Sequence, residues 1–354
     1  MTIDTMLIVA ARPIDMPWST WGIISCGCSA VAEGSVIKVS GLQFWLCNTV
    51  KSIMLRAVVT IKHLTIIGLS TSVCLACGAA DSTVGPPPLQ THLMEVRYAS
   101  AVSAEHQGLI TAAAEKWTRA LSKNRGDFPF NYPANHCFAG EPRLNEVHHN
   151  LLLFVSIGEL DGGSGQLAFT EVCSVSEQDA LPILAHIRLD QADLAWMETE
   201  KVLAGVITHE MGHALGFNPL SYMAKGLAAG GVTDPYFSGG TARARFAEHG
   251  AWYMGVTVPL EDSHDRGPND PHWRFVIFGD ELMASELGPK YRMPLSVITL
   301  GLFADLGYDV DFSVADSYEV IPLFGGNRLL PERNLAKDFR VLAPPTVVRP
   351  LVSR

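Results

Sequence analysis

The pattern of apolar and polar residues predicts several strands and a helix between residues 94 and 190. Residues 94–102 alternate as in a half-exposed strand, and residues 104–123 place apolar side chains at helical spacing. Residues 151–160 are mostly apolar, as in a strand that is buried on both faces. Two further strand-like segments follow at 165–172 and 185–190. The pattern therefore predicts a sheet ahead of the next helix.

A second long helix is predicted over residues 197–217, because its apolar residues recur at helical spacing and acidic residues lie in its first turn. The remainder, residues 218–354, is richer in loops. This order predicts one α+β domain over residues 94–354, divided by a cleft into an N-terminal subdomain (94–217) and a loop-rich C-terminal subdomain (218–354).

Composition narrows the choice of function. The chain has 354 residues, of which 48% are hydrophobic, so it can bury a large core. Its formal net charge is −10, and Lys and Arg form no cluster. Because phosphate binding needs concentrated positive charge, we expect no nucleic-acid partner. We expect a monomer.

Residues 54–77 have the layout of an export signal. A short basic opening after Met54 leads into the apolar run 64–76, which is shorter than the ~20 residues that cross a bilayer. The end of the run, Cys-Leu-Ala-Cys followed by Gly78, resembles a bacterial lipoprotein signal, and this resemblance implies that Cys77 is lipidated. Ordinary cleavage near Ala80 is the alternative. Both predict an exported protein, in the bacterial cell envelope or outside the cell.

The segments around this signal contain little that predicts structure. Residues 1–53 show no sustained period, and we interpret them as an over-extended gene start, with translation beginning at Met54. Residues 78–93 are small, polar and proline-rich, which predicts a flexible linker. In the domain that follows, the two cysteines, Cys137 and Cys173, form a disulfide or remain buried thiols.

The clearest chemical motif is His-Glu-Met-Gly-His at residues 209–213. His209 and His213 are one helical turn apart, so both rings project from one face and can bind one ion. Glu210 is rotated by one position, which directs its carboxylate toward a metal-activated water instead of the metal. This arrangement predicts a catalytic zinc ion.

A catalytic zinc ion usually takes three protein ligands and a water. Gly216 follows His213 by three residues and can adopt the left-handed conformation that ends a helix. In the metzincin pattern a third histidine comes three residues later, but that position is Pro219 here. The third ligand must therefore come from farther along the chain, and the candidates are His249, His264 and His272.

Around His272 the chain resembles the leishmanolysin-like metallopeptidases. Trp273 follows this histidine directly, and Met283, in Glu-Leu-Met, comes eleven residues later. The resemblance to this family extends to four further segments, which lie before the predicted helix 197–217, between that helix and His272, and after Met283. They are residues 181–194, 234–246, 256–262 and 294–311.

The resemblance implies a metzincin-like domain with a mixed twisted sheet and the zinc helix, in a short bacterial lipoprotein-type member. It implies roles for six residues: zinc ligands His209, His213 and His272, general base and acid Glu210, and structural support from Met283 and Gly216. His264 and His249 stay as alternative third ligands. The disulfides of the family agree with a bond between Cys137 and Cys173.

The implied activity is zinc-dependent endopeptidase action on proteins or peptides. We expect the substrate to lie along an exposed edge strand formed by residues 166–172, Gln-Leu-Ala-Phe-Thr-Glu-Val. The alternatives are a thermolysin-like site with a glutamate as third ligand, and an inactive zinc-binding surface lipoprotein that acts in binding or adhesion.

The interpretation of the N-terminal region predicts that the mature protein begins at a lipidated Cys77. Intact-mass and peptide mass spectrometry of the protein from its membrane fraction should identify this N-terminus. A mature chain that starts near Ala80 without lipid would indicate ordinary cleavage, and a chain that retains residues 1–53 would overturn the interpretation of the start site.

Overall fold

The computed structural model describes residues 30–32, 35–37, 89–251, 257–262, 266–320, 333–335 and 339–351. The chain forms two compact units, Met1–Cys77 and Gly78–Arg354. In the first unit, β1 (Ala30–Ala32) and β2 (Ser35–Ile37) pair as an antiparallel hairpin. The predicted export signal, including Cys77, and most of the predicted linker lie outside the described residues.

The second unit begins with a series of strands and one long helix. In chain order they are β3 (Leu89–Gln90), β4 (Met94–Tyr98), α1 (Ala104–Ala120), β5 (Leu121–Ser122), β6 (Asp127–Tyr132), β7 (Leu144–His149), β8 (Leu151–Gly158), β9 (Ala168–Ser176) and β10 (Pro182–Asp190).

Helices and short strands follow. They are α2 (Leu194–Thr199), α3 (Leu203–Leu215), α4 (Pro219–Ala224), β11 (Ala228–Ala229), β12 (Tyr236–Phe237), α5 (Gly240–Phe246), β13 (Val258–Pro259), α6 (Phe275–Phe278), β14 (Glu286–Leu287), α7 (Val297–Asp305), β15 (Asp309–Val310), β16 (Arg333–Asn334) and β17 (Phe339–Val348). A π-helical turn spans Ala247–Ala251, and 3₁₀ turns span Gly267–Asn269 and Phe312–Val314.

The main sheet is mixed and has six strands in the order β17-β9-β10-β8-β4-β3. Strands β4, β8 and β10 run parallel to one another, whereas β9 is antiparallel to β10. A mixed sheet accompanied by several helices confirms the predicted α+β class.

Strand β8 is buried on both faces, as its nearly continuous apolar run predicts. Leu151, Leu153 and Val155 belong to the core that also contains residues of α1 and α3. Leu152 and Phe154 point to the opposite face, where they pack with Phe128, Phe130 and Leu144 of the β6–β7 hairpin. A disulfide joins Cys137 to Cys173 beside this second cluster.

The predicted helix 197–217 is two helices in the structure. The first, α2, ends at Thr199, and Lys201 then takes a φ of 59° before α3 begins at Leu203. The amide of Val202 donates to the carbonyl of Met197 at 2.9 Å and closes this turn. Because the apolar spacing continues across the break, periodicity alone does not reveal it.

The expectation that residues 166–172 form an exposed edge strand is wrong. They contribute to β9, and β17 pairs with β9 in parallel from Phe339 opposite Thr170 to Val348 opposite Ser176. The pairing shifts register between Val341 and Thr346, where two prolines lack the amide hydrogens that a regular ladder needs. Since those prolines indicate only an extended tail, the pattern does not reveal that this tail completes the sheet.

Among the described residues, none of the helices combines the length and the apolar character required to cross a membrane.

The packing of α5 on α7 generates a stability prediction. A Cβ on Gly301 would lie 2.8 Å from Ala242 Cα and 2.9 Å from Ala242 N, and this backbone cannot move aside without displacing α5. We expect Gly301→Ala to lower the free energy of unfolding by ~1–3 kcal/mol through overpacking.

The matched control is Gly108→Ala in α1, because position 108 is exposed and a Cβ there meets no atom within 4 Å. This change should stabilise the protein by ~0.5–1 kcal/mol, since alanine favours the helix. Thermal and urea unfolding of both variants measures the difference, and equal stability of the two would contradict the described contact of α5 with α7.

Candidate metal centre

Three buried histidines converge at the centre of the second unit. His209, His213 and His272 have no solvent exposure, and one ring nitrogen from each lies within 4.8 Å of the other two. The Nε2 atoms of His209 and His213 are 3.0 Å apart. The centroid of the His272 ring lies 5.4 Å from that of His209 and 5.0 Å from that of His213. The described residues thus contain one group of three side chains that could share a single ion.

The second ring nitrogen of each histidine is held by an acceptor. His209 Nδ1 donates to the carbonyl of Leu282 at 2.5 Å, and His213 Nδ1 donates to the carbonyl of Phe217 at 2.7 Å. His272 Nδ1 is 2.8 Å from a carboxylate oxygen of Asp270, which is fully buried. Because carbonyl and carboxylate oxygens accept hydrogen bonds, each ring carries its proton on Nδ1. The Nε2 atom of each ring then has a lone pair that can bind a metal.

Helix α3 ends immediately after its second histidine. Gly216 has a φ of 128°, and a Cβ there would lie 2.8 Å from Leu181 Cδ2. The chain turns, Asn218 Nδ2 donates to the carbonyl of His213 at 2.9 Å, and Pro219 starts α4. Pro219 therefore stands where the short metzincin pattern has a histidine, and it serves as the first residue of a helix.

His272 enters the centre on a segment that is anchored on both sides. The carbonyl of His272 accepts from the amide of Glu261 at 3.0 Å, and the amide of Trp273 donates to the carbonyl of Met283 at 2.9 Å. The Trp273 indole is fully buried, and its Nε1 donates to Thr299 Oγ1 at 2.8 Å. These contacts explain why a histidine nearly sixty residues after α3 lies beside it.

Met283 packs against the histidine helix. It is fully buried, and a Cβ on Gly212 would lie 2.7 Å from its sulfur. Its amide donates to the buried carboxylate of Glu281 at 2.6 Å, and Ser296 Oγ donates to the same carboxylate at 2.7 Å. Burial raises the pKa of Glu281, and these hydrogen bonds partly offset the increase.

Glu210 lies beside the histidines and is fixed by the sheet. Its carboxylate accepts from Thr170 Oγ1 at 2.6 Å, and the same hydroxyl is 2.9 Å from the Glu210 carbonyl. Both residues are fully buried. Strand β9 therefore orients the glutamate that follows the first histidine.

Of the two alternative third ligands, His249 does not belong to the histidine group that the described residues form. His249 lies in the π-helical turn Ala247–Ala251, outside the histidine group, and His264 lies outside the described residues. Sequence reasoning missed Asp270 and Thr170. The run Asp-Pro-His before Trp273 could have indicated Asp270, whereas nothing local indicates Thr170, because its contact depends on strand packing.

A mixed sheet packed on a helix that carries two of three clustered histidines is consistent with a metallopeptidase domain. A model of the Leishmanolysin family matches residues 126–323, which is more than half of the chain, and the chain belongs to this family. The resemblance stated from the motifs is confirmed. The family is one of zinc-dependent metalloendopeptidases.

Curated relatives show the same similarity. The chain is 31% identical to a leishmanolysin homolog of Crithidia fasciculata over 186 residues, which is 51% of this chain and 27% of that protein. It is 26% identical to leishmanolysin of Leishmania tropica over 183 residues, 49% of this chain and 27% of the relative. It is also 26% identical to leishmanolysin of Leishmania major over 190 residues, which is 51% of this chain and 30% of that relative. The chain thus matches under a third of the length of these relatives.

The hydrogen bond between His272 and Asp270 generates a prediction about metal affinity. The Asp270 carboxylate orients the His272 ring and makes it a stronger metal ligand. Asp270→Asn removes this negative charge, so zinc should bind ~10–100-fold more weakly. Competition with a chromophoric chelator measures this affinity. The control is Asp234→Asn, because that side chain is 82% exposed and pairs with Arg274 on the surface. Equal affinities of the two variants would contradict the role of Asp270.

Proposed function

We propose that this protein is a zinc-dependent endopeptidase with His209, His213 and His272 as the metal ligands and Glu210 as the general base and acid. One observation carries the proposal: three buried imidazoles have ring nitrogens within 4.8 Å of one another, and the glutamate is next to the first of them on the same helix. Gly216, which ends that helix, and Met283, which packs under it, would support the centre as in metzincins.

The donor set fits zinc. Three neutral imidazoles form a common catalytic zinc site with one position open for water or substrate. Zinc bound there would polarise the scissile carbonyl and increase the acidity of a water molecule.

The protein supplies proton transfer and orientation. The Glu210 carboxylate would take a proton from the attacking water and pass it to the leaving amine. Thr170 donates to this carboxylate and limits its rotation, so the oxygen atoms keep one position relative to the imidazoles. Low solvent exposure strengthens these electrostatic interactions.

The proposed substrates are proteins or peptides. A substrate that adds a strand to β9 would have to separate β17 from it, because β17 occupies that edge. The proposal also retains export through the signal at 54–77, lipidation of Cys77, the two subdomains that meet at residue 217 and a monomeric state.

The test of the mechanism is Glu210→Gln. The amide keeps the size of the side chain and accepts from Thr170 but cannot relay a proton, so turnover should fall ~100-fold or more while zinc content is unchanged. Cleavage of a denatured protein and of an internally quenched peptide measures turnover, and elemental mass spectrometry measures zinc. The wild type should lose activity with a chelator and regain it with zinc.

Glu200→Gln is the matched control, because this residue is exposed in the turn before α3. It should leave turnover unchanged. Full activity of Glu210→Gln would overturn the catalytic assignment. A wild type that holds zinc but cleaves no substrate would favour the inactive surface lipoprotein.

A further inference from the structure

A cavity lies on the face of the main sheet that points away from α3. In β10, Ala185, Ile187 and Leu189 belong to the core that also contains residues of α3, so the side chains of His186 and Arg188 leave the strand on the opposite face. There both residues line a cavity of about 440 Å³. This volume is within the ~300–1,000 Å³ that is usual for small-molecule sites.

Two buried nitrogen atoms of the cavity wall have no hydrogen-bond partner within the part of the chain that the structure describes. They are Nδ1 of His186, a residue that is 2% exposed, and Nε of Arg188. The two residues are next but one on a strand, so their side chains start ~7 Å apart on one face. Because burial of a polar atom without a partner is costly, this pair indicates a ligand that bonds both atoms.

Hydrogen bonding and charge determine what these two nitrogen atoms offer. Burial and, to a lesser extent, the positive charge of Arg188 lower the pKa of His186 to about 3, so the ring is neutral at neutral pH. Its Nε2 lies 2.7 Å from Ser156 Oγ. When this hydroxyl donates to Nε2, the ring proton is on Nδ1, which makes Nδ1 a donor. Arg188 Nε is always a donor, and Arg188 Nη2 donates to the carbonyl of Glu159 at 3.0 Å. Two donors, one of them cationic, fit a carboxylate.

The other walls of the cavity combine aromatic rings with one carboxylate. Phe138 stacks on the His186 ring with the centroids 3.9 Å apart, and the disulfide holds the loop of Phe138 against β9. Phe169 and Glu171 line the side of the cavity that β9 forms, directly across from β10. A ligand with a negative charge alone would be repelled by Glu171, whereas an ammonium group on the same ligand would be attracted.

We propose that this cavity binds a free amino acid with an apolar side chain. Its carboxylate would accept from Arg188 and His186, and its ammonium group would face Glu171. Its side chain would lie between Phe138 and Phe169. Because neighbouring strands lie ~4.8 Å apart, the two charges of the ligand must be close together, as they are in an α-amino acid and not in a longer peptide. The site shares no residue with the histidine centre and does not depend on the proposed peptidase activity.

The experiment is a calorimetric titration of the purified full chain with L-phenylalanine and with two analogues that each lack one charge, phenylalanine amide and 3-phenylpropanoate. L-Phenylalanine should bind at this site and raise the melting temperature, since a ligand that binds only the folded state stabilises it. Each analogue should bind ~10-fold or more weakly, because it leaves a charged group of the cavity without its partner. Equal binding of 3-phenylpropanoate would indicate a simple anion site and overturn the proposed ligand.

Variants assign the binding to this cavity and not to zinc at the histidine centre. Arg188→Gln and Glu171→Gln should each weaken binding of L-phenylalanine ~10-fold or more, and both side chains are partly exposed, so both variants should fold. The control is Arg349→Gln, because the side chain of Arg349 is 78% exposed. This control should bind like the wild type. Absence of binding by the wild type at roughly 10 mM, well above the ~1 mM dissociation constant of a weak complex, would overturn the proposal. Unchanged binding by either cavity variant would also overturn it.

Discussion

The hydrogen bond from His209 to the carbonyl of Leu282 connects the two parts of the molecule on which the histidine centre depends. It joins the helix that carries two histidines to the turn that contains Met283. The same turn accepts the amide of Trp273 and so determines the position of His272. These two hydrogen bonds to one turn thus connect the helix of His209 and His213 to the segment of His272, which is far from that helix in sequence.

The Met283 turn is in turn stabilised by buried polar groups. Glu281 accepts hydrogen bonds from Ser296 and Thr299, which lie at the start of α7, and Thr299 also accepts from the Trp273 indole. Because each of these groups is buried, losing one partner would leave another unsatisfied. The geometry around His272 is therefore a property of the fold in this region and not of the histidine alone.

Local sequence was sufficient to predict much of this arrangement. The spacing of His209 and His213 places both on one helical face, and the apolar run 151–160 predicts the strand that is observed at Leu151–Gly158. The roles of His272 and Met283 could be predicted only from the family resemblance, because helical or strand periodicity does not show that a distant histidine lies beside a helix. The break at Lys201, the contact of Thr170 with Glu210 and the pairing of β17 with β9 depend on tertiary packing, which a local pattern does not encode.

The position of β17 has a consequence for how the sheet forms. Strand β9 is synthesised well before residues 339–348, and its outer backbone groups have no strand partner until that later segment arrives. Contacts between distant segments form slowly, since the intervening chain must first lose conformational freedom. Until β17 adds to the sheet, this unpaired border of β9 is therefore open to pairing with a foreign chain, and its closure marks a late step of assembly.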